Sequence, residues 1–269
     1  MNDDFLITKE YRRFAEFCDA CRQYRYIGVC HGRPGVGKTL SACYYSNWDT
    51  LQIIFNNKFR DKRETIEPGP EVADARSIFY TAPVAASSNR IEEGICSARY
   101  DLSYALEWAK SVRNGEPDFD VLHLFDPTEL IIVDEADRLK MAGLEQLRDI
   151  YDRGNLGLIL IGMPGLEKRL ARYPQLYSRV GFVHEYRALS TEELRFIMEH
   201  KWADLGLNFQ PNDFTDTEAM TTIARITGGN FRLIQRLFTQ IQRILEINNL
   251  HTITKEVVET ARQSLIIGS

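Results

Sequence analysis

The string His31-Gly32-Arg33-Pro34-Gly35-Val36-Gly37-Lys38-Thr39-Leu40 constrains this chain more than any other stretch. Gly32 through Thr39 satisfies G-x-x-x-x-G-K-[ST], the phosphate-loop pattern. A short β-leaning run at 26–30 precedes it, and a helix candidate from Thr39 to about Trp48 follows it. That context carries weight, because such a loop works only when a strand delivers it and a helix N-terminus takes over from it. The glycines let the backbone curl until its N–H groups converge on phosphate oxygens, and the helix dipole favours the same anion. Gly32, Pro34, Gly35, Val36, Gly37 and Leu40 then form the cradle around Lys38 and Thr39. Lys38 is expected against the β- and γ-phosphates of ATP, and Thr39 with its hydroxyl on Mg²⁺.

A second signal agrees with the first. Glu129-Leu130-Ile131-Ile132-Val133-Asp134 is a near-continuous apolar run, as a strand buried on both faces requires. Asp134 emerges at the C-terminal end of that strand, where open α/β sheets bind their ligands. It is expected to hold the Mg²⁺ through water, while Glu135 polarises an attacking water as general base. Asp134-Glu135-Ala136-Asp137 also invites a helicase reading. Such a motor needs two tandem domains, which 269 residues with an all-helical second part cannot supply.

The rest of the chain organises around these motifs. Helical spacing marks residues 8–24, strand composition marks 77–81, and a helix is expected over 90–112. Leu144, Leu147, Ile150 and Tyr151 keep helical spacing, and 156–161 is another buried strand, ended by Gly162-Met163-Pro164-Gly165. A last strand is expected at 182–186. The polar stretch 56–76, broken by Pro68-Gly69-Pro70, reads as a loop or insertion. Strands alternating with helices imply an α/β fold, a parallel sheet sandwiched by helices. Past 188 the pattern is helical throughout, over 191–205, 217–226, 231–245 and 254–265. Ser190 and Glu193 have capping-box spacing, and Leu189 and Leu194 the spacing of a hydrophobic staple. We therefore expect a nucleotide-binding domain over 1–187 and a small all-α lid over 188–269.

Composition excludes some alternatives. A net charge of −5 does not suit a passive, globally basic nucleic-acid coat. Local basic surface remains: Arg232, Arg236 and Arg243 fall within about 40° on an ideal helix, with no acid between them. The five cysteines are an odd number without a secretory signal, and read as reduced thiols. Cys18-x-x-Cys21 shares one helix side with Tyr11 and Phe14, which reads as buried core rather than a zinc pair. No apolar run approaches the roughly 18 residues of a membrane span. The first residues lack the order of a signal peptide, so a cytoplasmic location and no membrane partner are expected.

The order of parts resembles AAA+ ATPases over essentially the whole chain. It runs from phosphate loop to acidic strand end, third strand, Ser178-Arg179 before the last strand, and Gly229-Asn230-Phe231-Arg232 in a helical lid. More narrowly, several strings resemble the DNA-transposition regulators TnsC, TniB and MuB. They include Asp134-Glu135-Ala136-Asp137-Arg138-Leu139-Lys140, Leu160-Ile161-Gly162-Met163-Pro164-Gly165-Leu166 and 172–182. The resemblance implies that Arg179 is an arginine finger reaching the γ-phosphate of a neighbouring subunit. It implies that Arg232 is a sensor-2 arginine acting in cis, so Lys38, Glu135, Arg179 and Arg232 make up the catalytic set. It further implies self-assembly with ATP as rings or helical filaments on duplex DNA, and a separate transposase as partner. Residues 83–90 would lie near the oligomer axis, with Ser87, Ser88, Asn89 and Arg90 as DNA contacts. Lys58, Arg60, Lys62 and Arg63 form a second basic candidate. Gly162-Met163 stands where a polar sensor is usual, which fits a slow ATPase used as a switch. The competing readings are a helicase loader or replication-initiation ATPase, and a nucleotide-switched adaptor directed at protein.

Overall fold

Aliphatic runs without charges become the middle of the sheet. Leu130, Ile131, Ile132 and Val133 have no solvent exposure, nor do Ile159, Leu160 and Ile161. The computed structural model describes residues 5–57, 70–85, 87–115 and 124–265. These fall into two units by their internal contacts. The first lies within Met1–Phe5, Tyr11–Gly32 and Lys38–Glu185, and the second within Leu6–Glu10, Arg33–Gly37 and Tyr186–Ser269.

The α/β unit runs α1 (Lys9–Tyr24), β1 (Ile27–His31), α2 (Lys38–Tyr45), α3 (Trp48–Asn57), α4 (Pro70–Ala73) and β2 (Ser77–Thr81). It continues with α5 (Ser88–Asn114), β3 (Leu130–Asp134), a 3₁₀ turn (Ala136–Arg138), α6 (Met141–Arg153) and β4 (Gly157–Gly162). α7 (Leu166–Leu170), α8 (Pro174–Tyr177) and β5 (Val180–Glu185) complete it. The strands are parallel, in the order β2-β3-β4-β1-β5. The edge strand β5 alternates half-buried and exposed residues, as an edge should. Two glycines let α1 lie close on the sheet. A Cβ at Gly157 would stand 2.4 Å from the Cys21 carbonyl oxygen, and one at Gly28 2.4 Å from Cys21 Sγ. Cys18 and Cys21 are fully buried, and burial pushes the Cys21 thiol up to about 12.

Three expectations change. The single helix expected from Thr39 to Trp48 is two. Ser46 Oγ donates to the Ala42 carbonyl at 2.8 Å and Asn47 takes φ 51°, which ends α2 and lets α3 start at Trp48. The stretch 56–76 is not all loop: α3 runs to Asn57, and Pro70, suited to a first helical turn, opens α4. Residues 58–69, which carry Lys58, Arg60, Lys62 and Arg63, lie outside the described residues. The loop expected at 83–90 ends by Ser87, whose side chain accepts the Arg90 N–H and starts α5 two residues before the expected helix. The short helices α7 and α8 were not anticipated.

The helical unit consists of α9 (Thr191–Asp204), α10 (Phe214–Thr227), α11 (Phe231–Asn248) and α12 (Lys255–Gln263). Ser190 and Glu193 close a complete capping box at the start of α9. The second carboxylate oxygen of Glu193 accepts the Glu10 N–H at 2.8 Å. Trp202, 1% exposed, sits edge-on to Phe209 and Phe238 in a core with Ile197, Leu237 and Ile241.

Candidate nucleotide site

Sheet topology decides where the site lies. β1 and β4 are neighbours, but the chain leaves β1 towards β2 and leaves β4 towards β5, on opposite sides. A crevice opens beyond the C-terminal ends of such a pair. Gly32 N–H donates to the Gly162 carbonyl at 3.3 Å, so the two strands stay joined at that point.

Lys38 begins α2 and is 9% exposed, with Nζ donating to the Gly32 carbonyl at 2.7 Å. Burial pushes its ammonium below the ordinary lysine value, opposed by the negative potential of Cys30, Asp134, Asp137 and Glu135. Thr39 Oγ1 donates to Asp134 Oδ2 at 2.6 Å. Asp134, 4% exposed at the end of β3, accepts the Glu135 N–H on its other oxygen at 2.8 Å. A hydroxyl and a carboxylate meeting at one point are hard oxygen donors of the kind Mg²⁺ takes, so the residues present fit the ion.

Glu135 has φ 55°, in the left-handed region that non-glycine residues seldom adopt. The kink turns its carboxylate out of the sheet, where the side chain is 46% exposed. Its Oε2 lies 3.7 Å from Arg138 Nη2, and Arg138 Nη1 donates to the Ala82 carbonyl at 3.0 Å. The base candidate is thus tied to the C-terminal end of β2. His31, just before the loop, has Nε2 3.7 Å from Glu167 Oε2.

Residues Arg33–Gly37 group with the helical unit. Gly35 (φ 77°) and Gly37 (φ 119°) take conformations open to glycine. The Gly35 carbonyl accepts the Arg232 N–H at 3.0 Å, and the Pro34 carbonyl accepts Asn230 Nδ2 at 2.8 Å. Asn230 also caps α11, its Oδ1 accepting the Leu233 N–H at 3.2 Å. Sequence reasoning chose Arg232 and missed Asn230, although an asparagine after Gly228-Gly229 is an N-cap signal. Val36 is 3% exposed and Leu40 44%. The side chains of Arg232, Arg236 and Arg243 are all exposed.

Arg179 stands elsewhere. It precedes β5, and its carbonyl accepts the Ile27 N–H, so it lies at the N-terminal end of the parallel sheet. Asp134 is at the C-terminal end, level with Cys30, about 13 Å away along the strands at ~3.3 Å per residue. Arg179 Nε and Nη2 donate to the Asp152 carboxylate at 2.6 and 2.9 Å, and Nη1 to the Gln175 carbonyl. Within one chain it is not brought to Lys38, Asp134 and Glu135. Of the other candidates, Ser88 Oγ donates to the Ala142 carbonyl at 3.1 Å. Arg90 borders an open depression with Tyr80, Thr81, Pro83 and Glu93.

Residues 21–170 match the family described as the AAA domain. A Staphylococcus aureus protein named "Potential ATP-binding protein" is 51% identical over 269 residues, covering 99% of this chain and 98% of that one. The solved Thermotoga maritima RuvB Holliday junction branch migration motor is similar over 100% of this chain and 72% of its own, with TM-score 0.61 and 17% identity. Aeropyrum pernix ORC2, in its ADPNP-ADP complexes, is similar over 100% and 72%, with TM-score 0.57 and 14% identity. These two likenesses concern the fold. Among the described residues, no helix is long and apolar enough to cross a membrane. The chain therefore belongs to the AAA domain family and has the P-loop AAA+ fold.

Proposed function

We propose that this chain hydrolyses ATP and assembles with ATP on duplex DNA to regulate transposition by a separate transposase. The observation that carries the hydrolytic part is the Thr39–Asp134 hydrogen bond, with Glu135 next in sequence and its carboxylate open to solvent. Gly32, the loop glycines and Lys38 bind the phosphates. Thr39 and Asp134 hold Mg²⁺, which when bound neutralises charge on the phosphate oxygens. Glu135 orients a water and takes its proton as the water attacks the γ-phosphorus, and the β–γ bridging oxygen leaves with ADP. Gly162-Met163 offers no side-chain hydrogen bond to the reacting phosphate, which supports slow turnover suited to a switch.

The DNA and transposition part is supported by the strings shared with transposition regulators and by the exposed basic stripe Arg232, Arg236 and Arg243. The structural likeness to a protein named as a Holliday junction branch migration motor is compatible with it. Sedimentation with random-sequence duplex DNA tests it. Co-pelleting with ATP and not with ADP, weakening steeply as salt rises, is the expected result. No DNA binding in either nucleotide moves the reading to a protein-directed adaptor, and strong preference for one sequence moves it to an initiator.

The position of Arg179, far from its own chain's Asp134, supports a role in trans. Arg179→Ala is expected to bind ATP normally and lose turnover by about 10³-fold, the scale of an arginine finger. Mixing it with Glu135→Gln protein should restore part of the activity, because one interface then pairs an intact base with an intact finger. Failure to restore activity at any mixing ratio rules out the role in trans.

A further inference from the structure

Glu135 leads into a turn closed by two backbone hydrogen bonds, from Arg138 N–H to the Glu135 carbonyl at 2.9 Å and from Leu139 N–H to the Ala136 carbonyl at 3.1 Å. Ala136–Arg138 is a single 3₁₀ turn, and no side chain caps its start. A 3₁₀ turn has poorer hydrogen-bond geometry than an α-helix, and the positive φ of Glu135 persists only where its surroundings hold it.

Asp137 supplies the support. Its Oδ2 accepts the N–H of Met163, the first residue past β4, at 2.6 Å. Gly162, the last residue of β4, leaves the space for this: a Cβ there would stand 2.3 Å from Asp137 Oδ2 and 2.9 Å from its Cγ. The backbone of the same turn is gripped by Arg169 in α7. Its Nη1 donates to the Asp137 carbonyl at 2.7 Å, and its Nη2 to the Leu139 carbonyl. β4 therefore ends without a polar side chain of its own, and the polar group filling its corner is a carboxylate from the turn that carries Glu135.

We infer that Asp137 is the positioning residue of this site, locking the Glu135 turn to the end of β4 so that the base is held in its productive orientation. It acts through Glu135, and the inference rests on Glu135 being the base. A charged acceptor on a backbone N–H makes a stronger, shorter bond than a neutral one. Asparagine retains an acceptor oxygen at that point, alanine retains none, and a methyl at Gly162 displaces the carboxylate without changing its chemistry. Gly162 lies outside the left-handed region, so its replacement by alanine tests space alone, against Asp137 and, at 2.9 Å, against Leu166 Cδ2.

The test is steady-state turnover and ATP affinity of the full chain carrying D137A, D137N or G162A, with E135Q as reference. D137A and G162A are expected to lower kcat by about 10–100-fold, the scale of a misplaced catalytic group, with the Kd for ATP within about threefold. D137N should recover most of the rate, and D137A added to E135Q should cost little more than E135Q alone, since both act on one group. Wild-type kcat in D137A or G162A, in a protein that E135Q inactivates, overturns the positioning role and leaves the base assignment standing. Full turnover in E135Q removes the base and the inference with it. If D137A does not fold, G162A and D137N decide. Equal loss of kcat and affinity in G162A, or no difference between D137N and G162A, overturns the inference.

Discussion

Lys38→Ala is expected to weaken ATP binding by about 100-fold or more. Two charge-assisted hydrogen bonds to phosphate oxygens are lost, each worth about 1.5–3 kcal/mol, and 1.4 kcal/mol is tenfold in affinity. The structure adds a reason to expect the upper end. Lys38 is 9% exposed and lies in the negative field of Asp134, Asp137 and Glu135. Without it, the phosphates meet those carboxylates with one buried positive charge fewer to offset them. Lys38 Nζ also donates to the Gly32 carbonyl at 2.7 Å. Phosphate binding exchanges that bond for stronger ones, so little is lost in the exchange. Titration calorimetry with ATP checks the affinity, and a thermal melt checks that the variant remains folded. Micromolar affinity in a folded Lys38→Ala protein overturns the site assignment.

Much of this site is legible in sequence because its parts are local. Gly32 to Thr39 is one string, and Leu130 to Glu135 is another. Burial on both faces leaves little choice of residue in a central strand, so the acid that ends β3 stands out against four apolar neighbours. The helix break at Asn47 was less legible, because a left-handed asparagine inside a helical pattern gives no change of hydrophobic period. The contacts that aim the site were not legible at all. Asp137 reaches Met163 across 26 positions and Asn230 reaches Pro34 across 196. Arg179 meets Asp152 across 27. No periodicity or motif encodes which carbonyl a side chain will find in the folded chain. Asp137 shows this clearly, since in sequence it was one letter of a helicase-like string and of a string that resembles the transposition regulators. Its partner Gly162 shows in sequence only as an absent polar side chain, while in the fold it is also the space that Asp137 occupies.

Glu135→Gln is expected to bind ATP with near wild-type affinity and to lose turnover by about 10²–10⁴-fold, the usual contribution of a general base. The substitution is close to isosteric and leaves the backbone conformation unchanged. Among the described residues the carboxylate accepts no close hydrogen bond from a side chain, and its Arg138 neighbour is 3.7 Å away. Such an exposed pair contributes little to stability, so the melting temperature should barely move. If ATP drives assembly and hydrolysis undoes it, blocking the chemical step lengthens the lifetime of the assembled state by the same factor as it lowers kcat. Rapid-quench measurement of phosphate release gives one quantity, and dissociation of DNA-bound protein after dilution gives the other. Slow hydrolysis with unchanged dissociation keeps Glu135 as the base but severs hydrolysis from disassembly, so that ATP binding alone sets the assembled state. Wild-type phosphate release in the variant moves the base elsewhere, and among the carboxylates that act on Lys38 that leaves Asp134 and Asp137.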